Sequence, residues 1–484
     1  MVVLAIRVIR TKVLALLLGP AGIGLEAVFD STVSLMRTLF DLGISASGVR
    51  QIAAAVGTGE NRTIGTTVFT LRRTCVILGT TGSITFFLLR GPIGRMAFGN
   101  SEHTAALGWL AVMLLFSSIS AGQAALLQGM RQIRDLAKMN ILGALAGALL
   151  SIPIVYLWGQ AGIPFYMVMG AGVTLLVSWA FARRVRIDRE TRPLNDIVRE
   201  AGGLLRLGFA FMASGLVGTG ATFLLRIMVT RELGMDNVGQ FQAANSLSMV
   251  YVGFILQAMG TDFYPRLTAV AGDNAACNRT VNEQAEISLL LALPGILATL
   301  ALAPWVIRLF YSGRFPLAPE VLAWQTLGSL LQVASWPMGF IILAKGRGAT
   351  LIWTEIAAYS VYVALAWLGL KSFGLVGVGM AFLGLYAFHW VMVYAVARRM
   401  TEFRWSPSNT RFIGLAVISA TLAFGARRML IEPWATIVGL GLTVAAAGYC
   451  LRRLVALIGL ESLRRYSRRL PLIGGMGVFN RSAP

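Results

Sequence analysis

Apolar stretches of about 18 to 25 residues recur along the whole chain, separated by short polar runs. Fourteen can be read, at roughly 1–19, 24–48, 68–90, 104–128, 137–158, 163–183, 205–230, 238–262, 286–310, 320–344, 349–370, 374–397, 411–430 and 434–456. Each is long enough to cross the hydrocarbon core of a bilayer, about 30 Å thick. Backbone N–H and C=O groups in hydrocarbon need partners within their own segment, so helices are expected. A transmembrane barrel would need short strands of alternating polarity, and no such alternation is present. The expected fold class is an all-α polytopic membrane protein of about fourteen transmembrane helices.

Composition agrees. The 484 residues are 56% hydrophobic and 13% charged, whereas a soluble domain carries about a quarter charged residues. The formal charge is +21, from 42 Lys and Arg against 21 Asp and Glu. On a soluble protein that excess would suggest nucleic acid. The placement of the charges gives another account. With the N-terminus inside, 32 of the basic residues are counted to the inward side, in connections, tails and the adjoining helix ends (Arg7, Arg10 and Lys12 among them), 8 to the outward loops, and Arg37 and Arg226 to helix interiors. Positive residues are retained on the cytoplasmic side, so both termini are expected there and nucleic acid is not an expected partner.

The tail 457–484 carries Arg464, Arg465, Arg468 and Arg469 near Leu460, Leu463 and Leu470. It reads as a basic amphipathic helix lying on anionic membrane lipids. Cys75, Cys277 and Cys450 have neither metal spacing nor a disulfide framework. The N-terminus lacks the charge, apolar run and cleavage site of a signal peptide. No Walker A, His-Glu-x-x-His or paired-Cys motif occurs, and Gly374–Gly379 opens a membrane helix with no strand before it. No cofactor, metal or catalytic residue is expected, and transport, if present, is not driven by a bound nucleotide.

A repeat runs at an offset of 215. Leu18-Gly19 matches Leu233-Gly234, Ile23-Gly24 matches Val238-Gly239, Ser31 matches Ser246 and Gly57 matches Gly272. Gly162-Ile163 matches Gly377-Val378, and Ala182-Arg183-Arg184 matches Ala397-Arg398-Arg399. Between them, Gly122, Leu126 and Gly129 match Gly339, Leu343 and Gly346 with a slip of two residues. Six helices per repeat keep both halves in one orientation. The expected organisation is a lobe at 1–200, a parallel lobe at 201–405, and two further helices with the basic tail at 406–484. Two such lobes are a transporter plan that works by rocking.

The segment Arg10-Thr-Lys-Val-Leu-Ala-Leu-Leu-Leu-Gly-Pro-Ala-Gly-Ile-Gly-Leu25 resembles the opening of bacterial O-antigen and enterobacterial common antigen flippases, the Wzx class. Val238-Gly-Gln-Phe-Gln-Ala243, Phe263-Tyr-Pro-Arg-Leu267, Ala323-Trp-Gln325 and Leu343-Ala-Lys-Gly346 are similar to that family's second lobe, and the resemblance covers about residues 8–400. It implies a two-lobed, MATE-like fold of the multidrug/oligosaccharidyl-lipid/polysaccharide superfamily. It also implies an undecaprenyl-diphosphate-linked oligosaccharide as substrate, with the polysaccharide polymerase and chain-length regulator as expected partners. One departure is that Met1 stands only nine residues before Arg10, which leaves the span of helix 1 open.

Charges inside membrane helices point to a site. Each costs about 2.5–3.5 kcal/mol at the centre of a helix on insertion scales, so it lines a cavity or has a partner. Glu26, Asp30, Arg37 and Asp41 in the second stretch fall within an arc of about 60°. They read as a cavity wall and ion-coupling set, or as a self-paired network joining Arg37 to Asp41. Arg7, Arg10 and Lys12 lie in the first stretch, and Arg226 matches Thr11 at the repeat offset. On the seventh stretch Gly208, Gly215, Thr219, Thr222 and Arg226 share a face. Arg10, Lys12, Arg37 and Arg226 are the candidates for binding the diphosphate, since guanidinium forks suit phosphate oxygens and Lys acts as a point charge. For Arg7, Arg10 and Lys12 ordinary positive-inside anchoring stands as the other reading, and for Arg226 snorkelling to the interface.

Gln325, Ser329, Gln332 and Trp336 share one helix face, and Glu355, Tyr359 and Tyr362 another. Gln325, Gln332, Tyr359 and Tyr362 are candidate sugar contacts, with interhelical packing as the alternative. Glu355 is a candidate for ion coupling, and His389 reads as a packing residue more readily than as a proton relay. A lipid II flippase and a multidrug or cation antiporter of the same fold compete with the leading assignment. A membrane glycosyltransferase, polymerase or ligase is disfavoured by the short outward loops and the repeat.

Overall fold

The computed structural model describes residues 2–58, 61–185 and 194–458, and no strand occurs among them. The basic tail expected to lie on lipid falls almost wholly outside these residues. The α-helices are α1 (Val2–Asp41), α2 (Ile44–Thr58), α3 (Asn61–Phe98), α4 (Thr104–Gly129), α5 (Ile133–Trp158), α6 (Ile163–Ala182), α7 (Leu194–Leu233) and α8 (Met235–Ala258). They continue with α9 (Tyr264–Ala269), α10 (Asn274–Phe310), α11 (Ala318–Ala344), α12 (Gly348–Phe373), α13 (Leu375–Thr401), α14 (Pro407–Met429) and α15 (Trp434–Ile458).

Ten helical segments are long and apolar enough to cross a membrane among the described residues. One of them, Ile133–Ala182, is α5 and α6 joined through a 3-10 turn at Gly159–Gly162. The other expected stretches coincide with α1, which carries Arg7, Arg10, Lys12, Glu26, Asp30 and Arg37, and with α8, which carries Gln240, Gln242 and Asn245. The protein is an all-helical membrane protein. Leu88, Leu149, Tyr156, Leu368 and Leu422 stand exposed on the helix exteriors, as lipid-facing side chains do.

α1 is two arms rather than one rod. Gly19 breaks it with φ 67° and ψ −170°, a conformation open to glycine, and Pro20 opens the second arm with its φ pre-set. The arms fold back on each other, because Arg10 and Glu26, sixteen residues apart, form an ion pair. A straight helix would hold them about 24 Å apart. The second expected stretch, 24–48, ends early: Leu42 and Gly43 take positive φ and turn the chain into α2, an element the hydropathy pattern does not separate. Gly234, with φ 83°, makes the corresponding turn between α7 and α8.

The chain forms two compact units. The first contains Met1–Leu247, Pro304–Gln325 and Ala349–Phe388. Its core includes Leu14, Val28 and Phe29 of α1, together with a cluster in which Ile44 and Ile52 meet Leu71, Leu126 and Phe181. The second contains Ser248–Ala303, Thr326–Gly348 and the described chain from His389 onward. It packs Phe263 edge-on to Phe340. A polar network ties α10 to α14 and α15: Arg453 Nε donates to Glu286 at 2.9 Å, Arg453 Nη2 to Ser408 at 3.0 Å, and Asn409 Nδ2 to the Asn282 carbonyl at 2.8 Å. Ser406 caps α14 by accepting from the Asn409 amide at 3.1 Å.

Candidate functional site

Five of the twelve sequence-predicted site residues gather in the first unit. Arg10 is held from three directions. Its Nη2 donates to Glu26 Oε1 at 2.7 Å, its Nε to Ser151 Oγ of α5 at 3.1 Å, and its guanidinium lies 5.2 Å from the centre of the Tyr166 ring on α6. Arg226 is buried. Its Nη1 donates to the Ala27 carbonyl at 3.0 Å and its Nη2 to Gln242 Oε1 at 2.6 Å. Gln242 donates onward to Ser246 at 2.9 Å. The Arg226 Nε is enclosed and has no hydrogen-bond partner. Asp30 interacts electrostatically with Arg226 first, then with Glu26, Arg37 and Arg10. Its side chain is exposed although protein atoms crowd around it, and Arg37 is exposed about two helical turns further along α1.

Formal charge in this cluster is three cations against two carboxylates. That many charges within membrane helices would cost on the order of 10 kcal/mol if left bare, and the pairing of Arg10 with Glu26 and of Arg226 with Gln242 reduces that cost. The excess cation and the accessible Arg37 suit an anionic guest.

Lys12 and Asp41 are engaged elsewhere. Lys12 Nζ donates to the Arg308 carbonyl in the last turn of α10 at 2.8 Å. Asp41 accepts from the Ser45 hydroxyl at 2.7 Å and the Ser45 amide at 3.4 Å, so it caps α2. This contact falls at the start of α2, a break not expected from the sequence, where 24–48 reads as one helix.

Tyr359 and Tyr362 lie with Glu355 on α12, in the first unit. A β-carbon placed on Gly218 of α7 would stand 3.3 Å from the Tyr359 hydroxyl, so the lack of a side chain there lets the tyrosine reach α7. Tyr362 is buried edge-on to Phe382 of α13, at 6.1 Å between centroids. Glu355 is half-buried beside Tyr359. Gln325 is fully buried in α11 and belongs to the first unit, whereas the equally enclosed Gln332 belongs to the second, near Ser335. Ser335 in turn pairs with His389 Nδ1 at 3.0 Å. The four candidate sugar contacts are therefore not one cluster within a unit.

Ser151, Tyr166 and Gln242 complete the charged cluster and were not singled out from sequence. Gln242 carried a signal: it follows Arg226 by sixteen residues, as Glu26 follows Arg10.

The sequence matches the family described as polysaccharide biosynthesis protein over residues 13–317. It is 24% identical over 396 residues to the lipid III flippase of Escherichia coli (strain K12), covering 78% of this chain and 90% of that protein. It is 27% identical over 159 residues, 32% of this chain and 28% of the relative, to the uncharacterized membrane protein YabM of Bacillus subtilis (strain 168). The fold is similar to an inward-facing multidrug resistance MATE family transporter of the MOP superfamily, with TM-score 0.70 and 17% identity over 81% of this chain and 94% of that one. It is also similar to the lipid II flippase MurJ in an inward closed conformation, with TM-score 0.68 and 14% identity over 93% and 97% of the two chains.

Proposed function

We propose that this chain, which belongs to the polysaccharide biosynthesis protein family, is a flippase that carries undecaprenyl-diphosphate-linked oligosaccharide repeat units across the bacterial inner membrane. The observation that carries the reading is the cluster of Arg10, Arg37 and Arg226 with Glu26 and Asp30, net positive and set within membrane helices. In the proposed cycle the lobes at 1–200 and 201–405 rock about one another, with 406–484 appended. The diphosphate-sugar head enters from the cytoplasmic side, where both termini lie, while the lipid tail stays in the bilayer. Head-group charge is the barrier to unassisted crossing, and hydrated guanidinium groups lower it.

Arg37 is the first cation offered to the diphosphate, and Arg226 has an unused Nε–H to add. Glu26, Asp30 and Glu355 are the ion-coupling candidates, and Tyr359 is the sugar contact best placed to act with them. Anionic lipids, a polymerase and a chain-length regulator are the proposed partners. The similarity to a lipid III flippase supports a diphosphate-linked glycan as the substrate class. A lipid II flippase is the nearest second reading, supported by the fold similarity to MurJ. A cation antiporter is disfavoured by the net positive cluster.

The test is complementation. The chain is expressed in a bacterium deleted for its own O-unit and common-antigen flippases, and surface polysaccharide is stained. Restored polymer in the parent and its loss in Arg37→Ala and Arg226→Ala at normal protein levels is the expected result. Polymer unchanged in both variants would overturn the assignment.

A further inference from the structure

The repeat offset reappears as a reciprocal contact. A β-carbon added at Gly24 would overlap the Met235 carbonyl oxygen, and one added at Gly239 would overlap the Pro20 carbonyl oxygen. Gly24 and Gly239 are offset by 215, and so are Pro20 and Met235. The second arm of α1 and the start of α8 thus cross backbone to backbone, each presenting the same surface to the other. That is the signature of a two-fold axis between them. The crossing sits beside the two turns at Gly19 and Gly234.

A second reciprocity flanks the first. Lys12, in the first arm of α1, donates to the Arg308 carbonyl in the last turn of α10. Arg231, at the end of α7, donates from Nη2 to the Arg95 carbonyl at 2.7 Å and from Nε to the Met96 carbonyl at 3.1 Å, in the last turn of α3. Each repeat therefore sends a cation from its first helix to the free carbonyls that end the third helix of the other. The Arg95 carbonyl also accepts from the Gly99 amide at 3.0 Å, so Arg231 is a second donor to it, and the helix dipole makes both helix ends favourable for a cation. The Arg314 guanidinium also lies against Gly19, and Gln240 joins the Arg314 carbonyl to the Ala318 amide at 3.3 and 3.0 Å.

We propose that Lys12 and Arg231 are paired latches of the outward gate, closing the seam whose backbone contact is Gly24 on Gly239. The assignment to the outer side rests on the orientation in the proposed function, in which the first arm of α1 runs outward to the Gly19 turn, so Lys12 lies further out than the count of inward charges took it to be. Asp30 and Arg37 lie beyond the seam, on the same arm of α1. For a head group to leave outward, the second arm of α1 must part from α8, and both caps must release together. Neither cation then needs to touch substrate, which gives Lys12 a role other than a phosphate ligand. The carbonyl acceptors are main-chain atoms, so the latch asks only for a donor at positions 12 and 231.

The experiment is thiol accessibility. Cys75, Cys277 and Cys450 are replaced by Ser, and Ser34→Cys, past Asp30 on α1, is the reporter. A membrane-impermeant maleimide is applied to intact cells and, separately, to inverted membrane vesicles. The parent should label slowly from outside and readily in inverted vesicles. Lys12→Ala and Arg231→Ala should each raise outside labelling about threefold, and the double variant further, while Lys12→Arg and Arg231→Lys stay at the parental rate. Outside labelling unchanged in the double variant, with labelling in inverted vesicles intact, overturns the latch. A parent that labels freely from outside and not in inverted vesicles overturns the orientation instead.

Discussion

Arg226 donates to Gln242 across the Gly234 turn, sixteen residues along the chain, just as Arg10 donates to Glu26 across the Gly19 turn. Both arginines reach a partner sixteen residues on, across a glycine turn, though their other partners differ. The first repeat gives its arginine a carboxylate, the second a neutral amide. That amide partner of Arg226 carries no charge, and Asp30 is the acid that acts on Arg226 electrostatically.

Substitution at that atom is the sharpest local test. Gln242→Glu would give Arg226 a carboxylate partner of nearly the same shape and cancel the excess positive charge. Surface polysaccharide made by the chain should fall about tenfold at unchanged protein level. Glu26→Gln should not cause that loss by charge cancellation, since it makes the cluster more positive. Stained polymer in the complemented strain reads both.

The crossing at Gly24 and Gly239 predicts intolerance of volume. Gly24→Val and Gly239→Val should each destabilise the protein by about 1–3 kcal/mol, the range for overpacking. Gly414→Ala, where nothing lies within 4 Å, should be neutral or stabilising by up to about 1 kcal/mol through helix propensity. Thermal unfolding of the detergent-solubilised protein separates the two classes.

Asp41 gives a test of capping against coupling. Asp41→Ala should cost about 1 kcal/mol of stability, the value of a lost N-cap, while Asp41→Ser and Asp41→Asn retain it. Transport per folded molecule should be the same in all three. A loss of transport in Asp41→Asn with stability intact would return Asp41 to the ion-coupling set.

Glu355→Gln keeps the shape of its side chain beside Tyr359 and removes a charge. In proteoliposomes it should abolish stimulation of flipping by an imposed ion gradient while leaving exchange without a gradient within about twofold. Retained stimulation would remove Glu355 from the coupling role.

The helical architecture was legible because lipid as solvent forces a simple rule on the sequence: apolar stretches of sufficient length must be helices. The expected stretches fall on helical segments, ten of which are long and apolar enough to span among the described residues, while 24–48 runs across the Leu42–Gly43 break; the turn glycines Gly19 and Gly234 were already marked by the repeat. The break at Leu42–Gly43 was not legible. Both neighbours are apolar enough to continue a helix, and the close backbone approach of Gly43 to Gly208 beside the positive-φ Leu42 is a tertiary contact that the local pattern does not carry. Within the site, Arg10, Glu26, Asp30, Arg37 and Arg226 could be picked out because a charge in a membrane helix needs a reason. Ser151 and Tyr166 could not, since hydroxyls are cheap in such helices and common there. The contact of Lys12 with Arg308 was not legible either, because its acceptor, a main-chain carbonyl, leaves no trace in the side-chain pattern.

The measurement that tests the central claim most directly is flipping by the purified protein in proteoliposomes. A polyprenyl-diphosphate-linked oligosaccharide carrying a fluorophore on its sugar is reconstituted with the protein. An impermeant quencher then reports how fast the inner-leaflet pool becomes accessible. The account predicts fast exchange with the parent, a loss of at least about tenfold with Arg37→Ala and with Arg226→Ala, and little exchange of the same oligosaccharide on an uncharged polyprenyl anchor. Exchange that is independent of both arginines, or equal for charged and uncharged anchors, would contradict it.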